Sequence, residues 1–274
     1  VSHLNWKKKG LGPTKESKSP EYDQEDLLGL ISEDLKSPVD IREIISRITD
    51  GSQFEEFKPL YGQTMICGWA CIHGYQIGVL GNNGPIYPEC AEKAATFIQL
   101  CNKRDIPLIF LQNVTGFLVG KDFERQAIIK KGSQMINAVS NSTVPHITII
   151  VGASYGAGTY AMSGRAYNNR FTFLWPTAKI AVMGPEQIAG VMSIVRKAKA
   201  MRTGEKFDEK EDAEIVKMVE DAAERMSHAL VASSMLTDDG IIDPRDTRKI
   251  IAFCLSICNN IPIEGAKEYG VFRL

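Results

Sequence analysis

Val144-Pro-His-Ile-Thr-Ile-Ile-Val-Gly152 runs straight into Ala153-Ser-Tyr-Gly-Ala-Gly-Thr-Tyr160, and the architecture turns on how this stretch is read. The first segment is short, apolar and β-branched, the pattern of a buried strand over 144–151. The second sets Gly156 and Gly158 around Ala157, where a helix is predicted over about 155–164. The first turn of a helix carries backbone N–H groups without intrahelical partners and favours negative charge. Small residues let a ligand approach that backbone closely. A strand that ends on such amides predicts a site for an anion or a developing oxyanion.

Outward from this stretch the chain alternates. On the N-terminal side, 106–111 is a second buried strand running into the loop Gln112-Asn-Val-Thr-Gly-Phe-Leu-Val-Gly120, and 123–138 is a helix. Before them, 88–104 is a helix with Pro88 at its start and Ala94, Ala95, Phe97, Ile98 and Cys101 on its inner face. Residues 64–72 and 76–80 form a hairpin through His73-Gly74-Tyr75, with His73 at the surface. On the C-terminal side, 171–175 and 179–183 are short strands, and Gly184-Pro185 opens a helix through 201. A long amphipathic helix over 208–236 and a last helix over 245–258 follow. Short apolar strands alternating with helices predict an α/β fold of parallel βα units with both sheet faces covered. Ligands of such sheets sit beyond the strand carboxyl ends, so the loops 112–120 and 152–158 should share one pocket.

Residues 1–50 read as a lead-in of linker and connecting helix, and 51–274 as one domain. Lys7-Lys8-Lys9-Gly10 and residues 13–20 are polar and rich in breakers, and the lysines form a solvated face. Ser37-Pro-Val-Asp-Ile-Arg-Glu begins like a capped helix with the stripe Val39, Ile41, Ile44, Ile45 and Ile48, ended by Asp50-Gly51. With 44% hydrophobic and 24% charged residues and a formal charge of −1, the composition is that of an ordinary globular protein. That balance provides no field to recruit nucleic acid or an acidic membrane. No apolar run approaches the roughly 20 residues of a membrane span. No signal peptide is expected, and the start at Val1 suits a processed chain or a piece of a longer one. Cys67 and Cys71 share a strand face, and Cys254 and Cys258 lie a helical turn apart. With Cys90 and Cys101, their spacing and apolar neighbours suit buried thiols in a reducing compartment better than a zinc site.

Three motifs compete for the glycine loop. Gly152-Ala-Ser-Tyr-Gly156 matches the G-x-S-x-G nucleophile elbow, and Ser154, then Asp212 or Asp221, then His228 has the chain order of a hydrolase triad. Against it, His228 falls mid-helix on the same predicted helix as both aspartates, whereas a triad takes acid and base from separate loops. Gly156-Ala-Gly-Thr-Tyr-Ala161 matches a dinucleotide fingerprint, but no acidic residue follows the next strand, since 174–180 read Leu-Trp-Pro-Thr-Ala-Lys-Ile. The third reading needs only the N–H groups of Ala157 and Gly158 to stabilise an enolate-like oxygen, with no metal and no side-chain nucleophile. On pattern alone it stands beside a plainer one, in which the glycines only let helix and strand pack closely.

Taken together, Gly81-Asn-Asn-Gly84, Phe110-Leu-Gln-Asn-Val-Thr-Gly-Phe-Leu-Val-Gly120, the stretch GASYGAGTYAMSGRAY at 152–167, Trp175-Pro-Thr-Ala-Lys-Ile-Ala-Val-Met-Gly184 and Asp239-Gly-Ile-Ile-Asp-Pro-Arg-Asp-Thr-Arg248 resemble one family. It is the carboxyltransferase (β) subunit of biotin-dependent acyl-CoA carboxylases, with the nearest likeness to methylcrotonoyl-CoA carboxylase. The resemblance runs over 5–274 and is to the C-terminal, biotin-holding half of a subunit about twice this length. It implies a crotonase-like ββα superhelix and an intracellular protein, in the mitochondrial matrix of a eukaryote or the cytoplasm of a bacterium. It implies a hexameric ring, and an active site between this half and the acyl-CoA-holding half of a neighbour. A partner α subunit would carry biotin carboxylase and the biotinylated carrier.

The implied activity is transfer of CO2 from carboxybiotin to an acyl-CoA, 3-methylcrotonoyl-CoA first, as in leucine degradation. Propionyl-, acetyl-, geranyl- or glutaconyl-CoA are alternatives, as is the carboxyltransferase of a decarboxylase. Backbone amides at Ala157 and Gly158 would stabilise the ureido oxygen left negative on biotin. Gly116, Phe117, Tyr155, Gly156 and Gly184 would shape the biotin pocket, and Tyr160 would face the acyl group. This chain departs from methylcrotonoyl-type members at Thr159 (usually Asn), Ala161 (Gly), Ser163 (Cys) and Pro185 (Gly or Ala), which bears on the acyl substrate.

Overall fold

The computed structural model describes residues 10–32, 37, 39–167, 169–204 and 206–270. The lead-in contributes a short helix, α1 (Leu27–Leu30), and α2 (Ile41–Ile48). The Asp40 carboxylate caps α2 by accepting the Arg42 amide at 3.0 Å. Ile41, Ile44, Ile45 and Ile48 are all buried and belong to the main core. The connecting helix therefore packs into the same core as the strands of the sheet.

Strands β1 (Glu55–Glu56), β2 (Met65–Ile72) and β3 (Tyr75–Asn82) are antiparallel neighbours. The β2–β3 hairpin closes on His73 and Gly74, at φ +49° and +77°, the primed geometry that matches strand twist. The Asp50 carboxylate fixes that turn, accepting the amides of His73 at 3.0 Å and Gly74 at 2.8 Å. Then come α3 (Pro88–Lys103), β4 (Leu108–Val114), α4 (Lys121–Arg125), α5 (Ile128–Ser140), β5 (His146–Tyr155), α6 (Gly156–Ala161), β6 (Phe171–Leu174) and β7 (Lys179–Ala181). The chain ends on α7 (Pro185–Thr203), α8 (Glu209–Ser227), α9 (Ala229–Ser234) and α10 (Thr247–Cys258).

One mixed sheet in the order β1-β2-β3-β4-β5-β6 organises these elements, with β7 also on β5. From β3 to β6 all pairs are parallel. One face carries the core shared with α2 and α10, and the other the core shared with α3 and α5. Both faces being covered explains why the central strands are apolar without alternation. All of β5 is buried.

The helix expected over 155–164 ends at Ala161 and the strand expected over 179–183 at Ala181, and four further boundaries differ for visible reasons. β5 continues past Gly152 to Tyr155, because Ala153, Ser154 and Tyr155 find a second parallel partner in Lys179, Ile180 and Ala181 of β7. β4 extends through Gln112 and Asn113 to Val114, with a register shift against β5 between Gln112 and Val114. The expected helix over 123–138 breaks at Ala127, which takes φ +64°. The expected helix over 208–236 breaks at His228, where the backbone is extended (φ −61°, ψ 147°) and bridges Lys179 at the edge of β7. An edge strand with free backbone groups has drawn one residue out of the helix. No helix among the described residues is long and apolar enough to cross a membrane.

Candidate active site

A cavity of about 740 Å³ opens beyond the carboxyl ends of β4, β5 and β7. Residues 115–119 form one wall, 155–157 the floor and 182–187 the opposite wall, so the two glycine-punctuated loops do share a pocket. Most of the lining is apolar: Pro85, Phe117, Leu118, Val119, Val182, Met183 and Pro185. The first wall is pinned to Ile86, whose amide donates to Gly116 O at 2.9 Å and whose carbonyl accepts Leu118 N at 3.1 Å. Gly116 sits at φ +135°, which a side chain would strain.

The floor is the turn from β5 into α6. Gly156 begins the helix at φ +55°, and a Cβ there would lie 3.0 Å from Val182 O. Ala157 follows, exposed to the cavity. Gly158 is buried directly behind it, where a Cβ would be 2.6 Å from Val114 Cγ2 and 3.3 Å from Gly116 Cα. No side chain caps this first turn. Ala157 and Gly158 are the second and third residues of α6, in the first turn, whose amides have no intrahelical partner. Two such donors beside an apolar cavity can stabilise an oxyanion.

Opposite, Gly184 is the N-cap of α7 and Pro185 its first residue, where the missing proline N–H costs no helical bond. The Tyr155 side chain lines the cavity, and burial beside the Glu224 carboxylate pushes its phenol up to about 12. Lys179 and Glu224, both on the cavity wall, form a hydrogen-bonded ion pair that ties α8 to β7. Tyr160 is 46% exposed and edge-to-face with Tyr167, outside the cavity wall.

Of the other sequence motifs, the serine hydrolase is not assembled. Ser154 is fully buried and its hydroxyl donates to Gln112 Oε1 at 2.6 Å. Asp212 is held by Ser193 and by Arg196 at 3.3 Å, and Asp221 and His228 are exposed. The six thiols are free. Burial raises Cys101 and Cys254 to about 12 and Cys67 further, so these three are unreactive thiols. Sequence reasoning missed Gln112, assigned to a loop, and the Lys179–Glu224 pair, separated by 45 residues. Polar residues at the end of an otherwise apolar strand were the available signal for Gln112.

The mixed sheet thus sets the first turn of α6 at the end of its central strand, on the floor of a largely apolar cavity. Residues 1–271 match the family model described as carboxyl transferase domain, and the chain belongs to that family. Along its whole length it is 54% identical to a probable biotin-dependent acyl-coenzyme A carboxylase beta2 subunit of Mycobacterium tuberculosis, covering 52% of that protein. It is 46% identical to the mitochondrial methylcrotonoyl-CoA carboxylase beta chain of Dictyostelium discoideum, covering 47% of it. The crystal structure of the P. aeruginosa geranyl-CoA carboxylase beta subunit superposes with TM-score 0.86 at 44% identity, over 99% of this chain and 51% of that one. The fold is thus the crotonase-like carboxyltransferase fold, and the chain spans about half the length of these relatives.

Proposed function

We propose that this chain is the biotin-side half of a carboxyltransferase that carries a carboxyl group from carboxybiotin to an acyl-CoA, with 3-methylcrotonoyl-CoA as first candidate. The observation that carries the reading is the first turn of α6, with the amides of Ala157 and Gly158, at the floor of a cavity of about 740 Å³.

The cavity suits biotin on its own features. Apolar walls match a thioether ring and aliphatic tail, and Gly156 and Ala157 keep the floor free of bulky side chains, so that a flat group can approach it closely. When bound, biotin supplies the carboxyl group and then a ureido oxygen that carries negative charge. The Ala157 and Gly158 amides would hold that oxygen, Gly116 and Phe117 would bound the ring on one side, and Tyr155, Gly156 and Gly184 on the other. Each oxyanion donor contributes about 3 to 4 kcal/mol. Cover from a facing half-subunit would exclude water and so strengthen those hydrogen bonds.

Three features support a second half. Val119 and Val182 are more than 80% exposed at the cavity rim, with Met183 half-exposed beside them. Tyr160 faces outward from the same end of the fold. The chain covers half of each relative, so the acyl-CoA side would be supplied by another half-subunit and the carrier by a biotinylated partner, in the ring implied by the family resemblance. The acyl chain is the finer proposal, since the relatives' names divide between methylcrotonoyl- and geranyl-CoA.

The test is decarboxylation of 3-methylglutaconyl-CoA dependent on free biotin, with the N-terminal half supplied. Turnover that requires biotin and exceeds that with malonyl-CoA or methylmalonyl-CoA supports the reading. Turnover of another carboxyacyl-CoA alone would reassign the substrate, and biotin-independent turnover or none would overturn the reaction.

A further inference from the structure

Ser154 is left without a role once the nucleophile elbow is set aside, yet it is fully buried in a polar cluster at the end of β5, two residues before α6. The Gln112 side chain, also fully buried, donates from Nε2 to the carbonyl of Met162 at 2.6 Å, just past the end of α6. That bond orients the amide, so Oε1 must face Ser154, whose hydroxyl donates to it at 2.6 Å. A serine has one proton to give. The 2.9 Å contact between Ser154 Oγ and Thr159 Oγ1 is therefore a bond in which Thr159 donates. The result is a one-way relay, Thr159 to Ser154 to Gln112 to Met162, that joins β4, the end of β5, the middle of α6 and its C-cap.

We propose that Gln112, Ser154 and Thr159 act as positioning residues that hold the first turn of α6 so that the Ala157 and Gly158 amides point into the cavity. The inference rests on the oxyanion reading above. A six-residue helix is too short to hold its own shape. This one also starts from a left-handed glycine, whose backbone freedom leaves the entry angle of the helix to be set by surrounding contacts. The relay provides those contacts from the side away from the substrate. It also accounts for a serine at 154 without any nucleophilic chemistry.

The experiment uses Thr159→Val, which keeps shape and removes the donor, Thr159→Ser, which restores it, and Gln112→Leu. Each is made in the enzyme assembled with its acyl-CoA half and biotinylated partner. Steady-state kinetics are read beside hydrogen–deuterium exchange of the peptide spanning residues 155–162. Thr159→Val and Gln112→Leu should lower kcat by about 10- to 100-fold, the range that follows from roughly ångström misplacement of catalytic donors, with KM for acyl-CoA within about twofold. Exchange at 155–162 should quicken while the rest of β5 stays protected, and Thr159→Ser should recover both. Unchanged exchange at 155–162 in Thr159→Val and Gln112→Leu overturns the relay whatever the activity. Quickened exchange with unchanged kcat leaves the relay standing and instead removes the amides from catalysis. A folding defect would speed exchange throughout, and with no local excess at 155–162 it counts against the proposal.

Discussion

Replacing Gly158 by alanine is the sharpest perturbation of this site. An added Cβ would lie 2.6 Å from Val114 Cγ2, 3.2 Å from Val114 Cγ1 and 3.3 Å from Gly116 Cα. Carbon atoms rest about 3.5 to 4.0 Å apart, so α6 or Val114 must move by about 1 Å. Val114 is fully buried and β-branched, with no alternative rotamer that clears the space cheaply. Overpacking of this kind costs about 1 to 3 kcal/mol, against which alanine's helix propensity returns up to about 1 kcal/mol. The net loss of about 0 to 3 kcal/mol lowers Tm by at most about 5 °C in a domain of this size. Catalysis should suffer more. A displacement of about 1 Å costs about 100-fold, and loss of one oxyanion donor costs about 100- to 1000-fold in kcat. The assay is biotin-dependent carboxylation by the assembled enzyme, with Tm measured on the same preparations. Val114→Ala in the same chain removes both methyl groups that the new Cβ strikes, and should recover at least tenfold of the lost kcat. Full activity in Gly158→Ala, or a double variant whose losses simply add, would refute the steric reasoning.

Arg248 pairs with Asp50 at 2.7 Å, both nearly buried, and also donates to Ile48 O and Lys18 O. Arg248→Met should destabilise by about 3 to 5 kcal/mol in urea denaturation, because it strands the Asp50 carboxylate. Trp175 Nε1 donates to Thr247 Oγ1 at 2.9 Å in the core, so Thr247→Val should cost about 1 to 3 kcal/mol with biotin-dependent kcat unchanged. His146 is buried between Ser142 and Ser163, and burial alone holds it down at about 4. The folded protein keeps this ring neutral where the unfolded chain protonates near 6.5, so its contribution is whole above that pH. It is lost as pH falls from about 6.5 to about 4, by about 3 kcal/mol in all. His146→Gln should flatten the fall in urea midpoint over that interval; an unchanged slope would place the titration elsewhere.

The apolar strands could be read because a parallel strand covered on both faces leaves a continuous hydrophobic run, as in Ile147–Ile150 against Phe171–Leu174. The stripe of Ile41, Ile44, Ile45 and Ile48 likewise announced α2 through its period. What escaped the sequence was whatever long-range pairing decides. Gly152 reads as a stop, but β7 offers a partner to the three residues after it. His228 reads as helical, but the same β7 edge extends it. At the site, the glycines and the shared pocket were legible, since close approach requires particular residue types. Gln112 and the Lys179–Glu224 pair were not, because a hydrogen-bonded partner 42 or 45 residues away leaves no local pattern.

The most direct measurement of the central claim is the backbone amide spectrum of Ala157 and Gly158 during titration with free biotin. Both resonances should move downfield and saturate together, and their exchange with solvent should slow, while distant amides stay put. Saturable binding of biotin that leaves those two resonances unmoved would contradict the account.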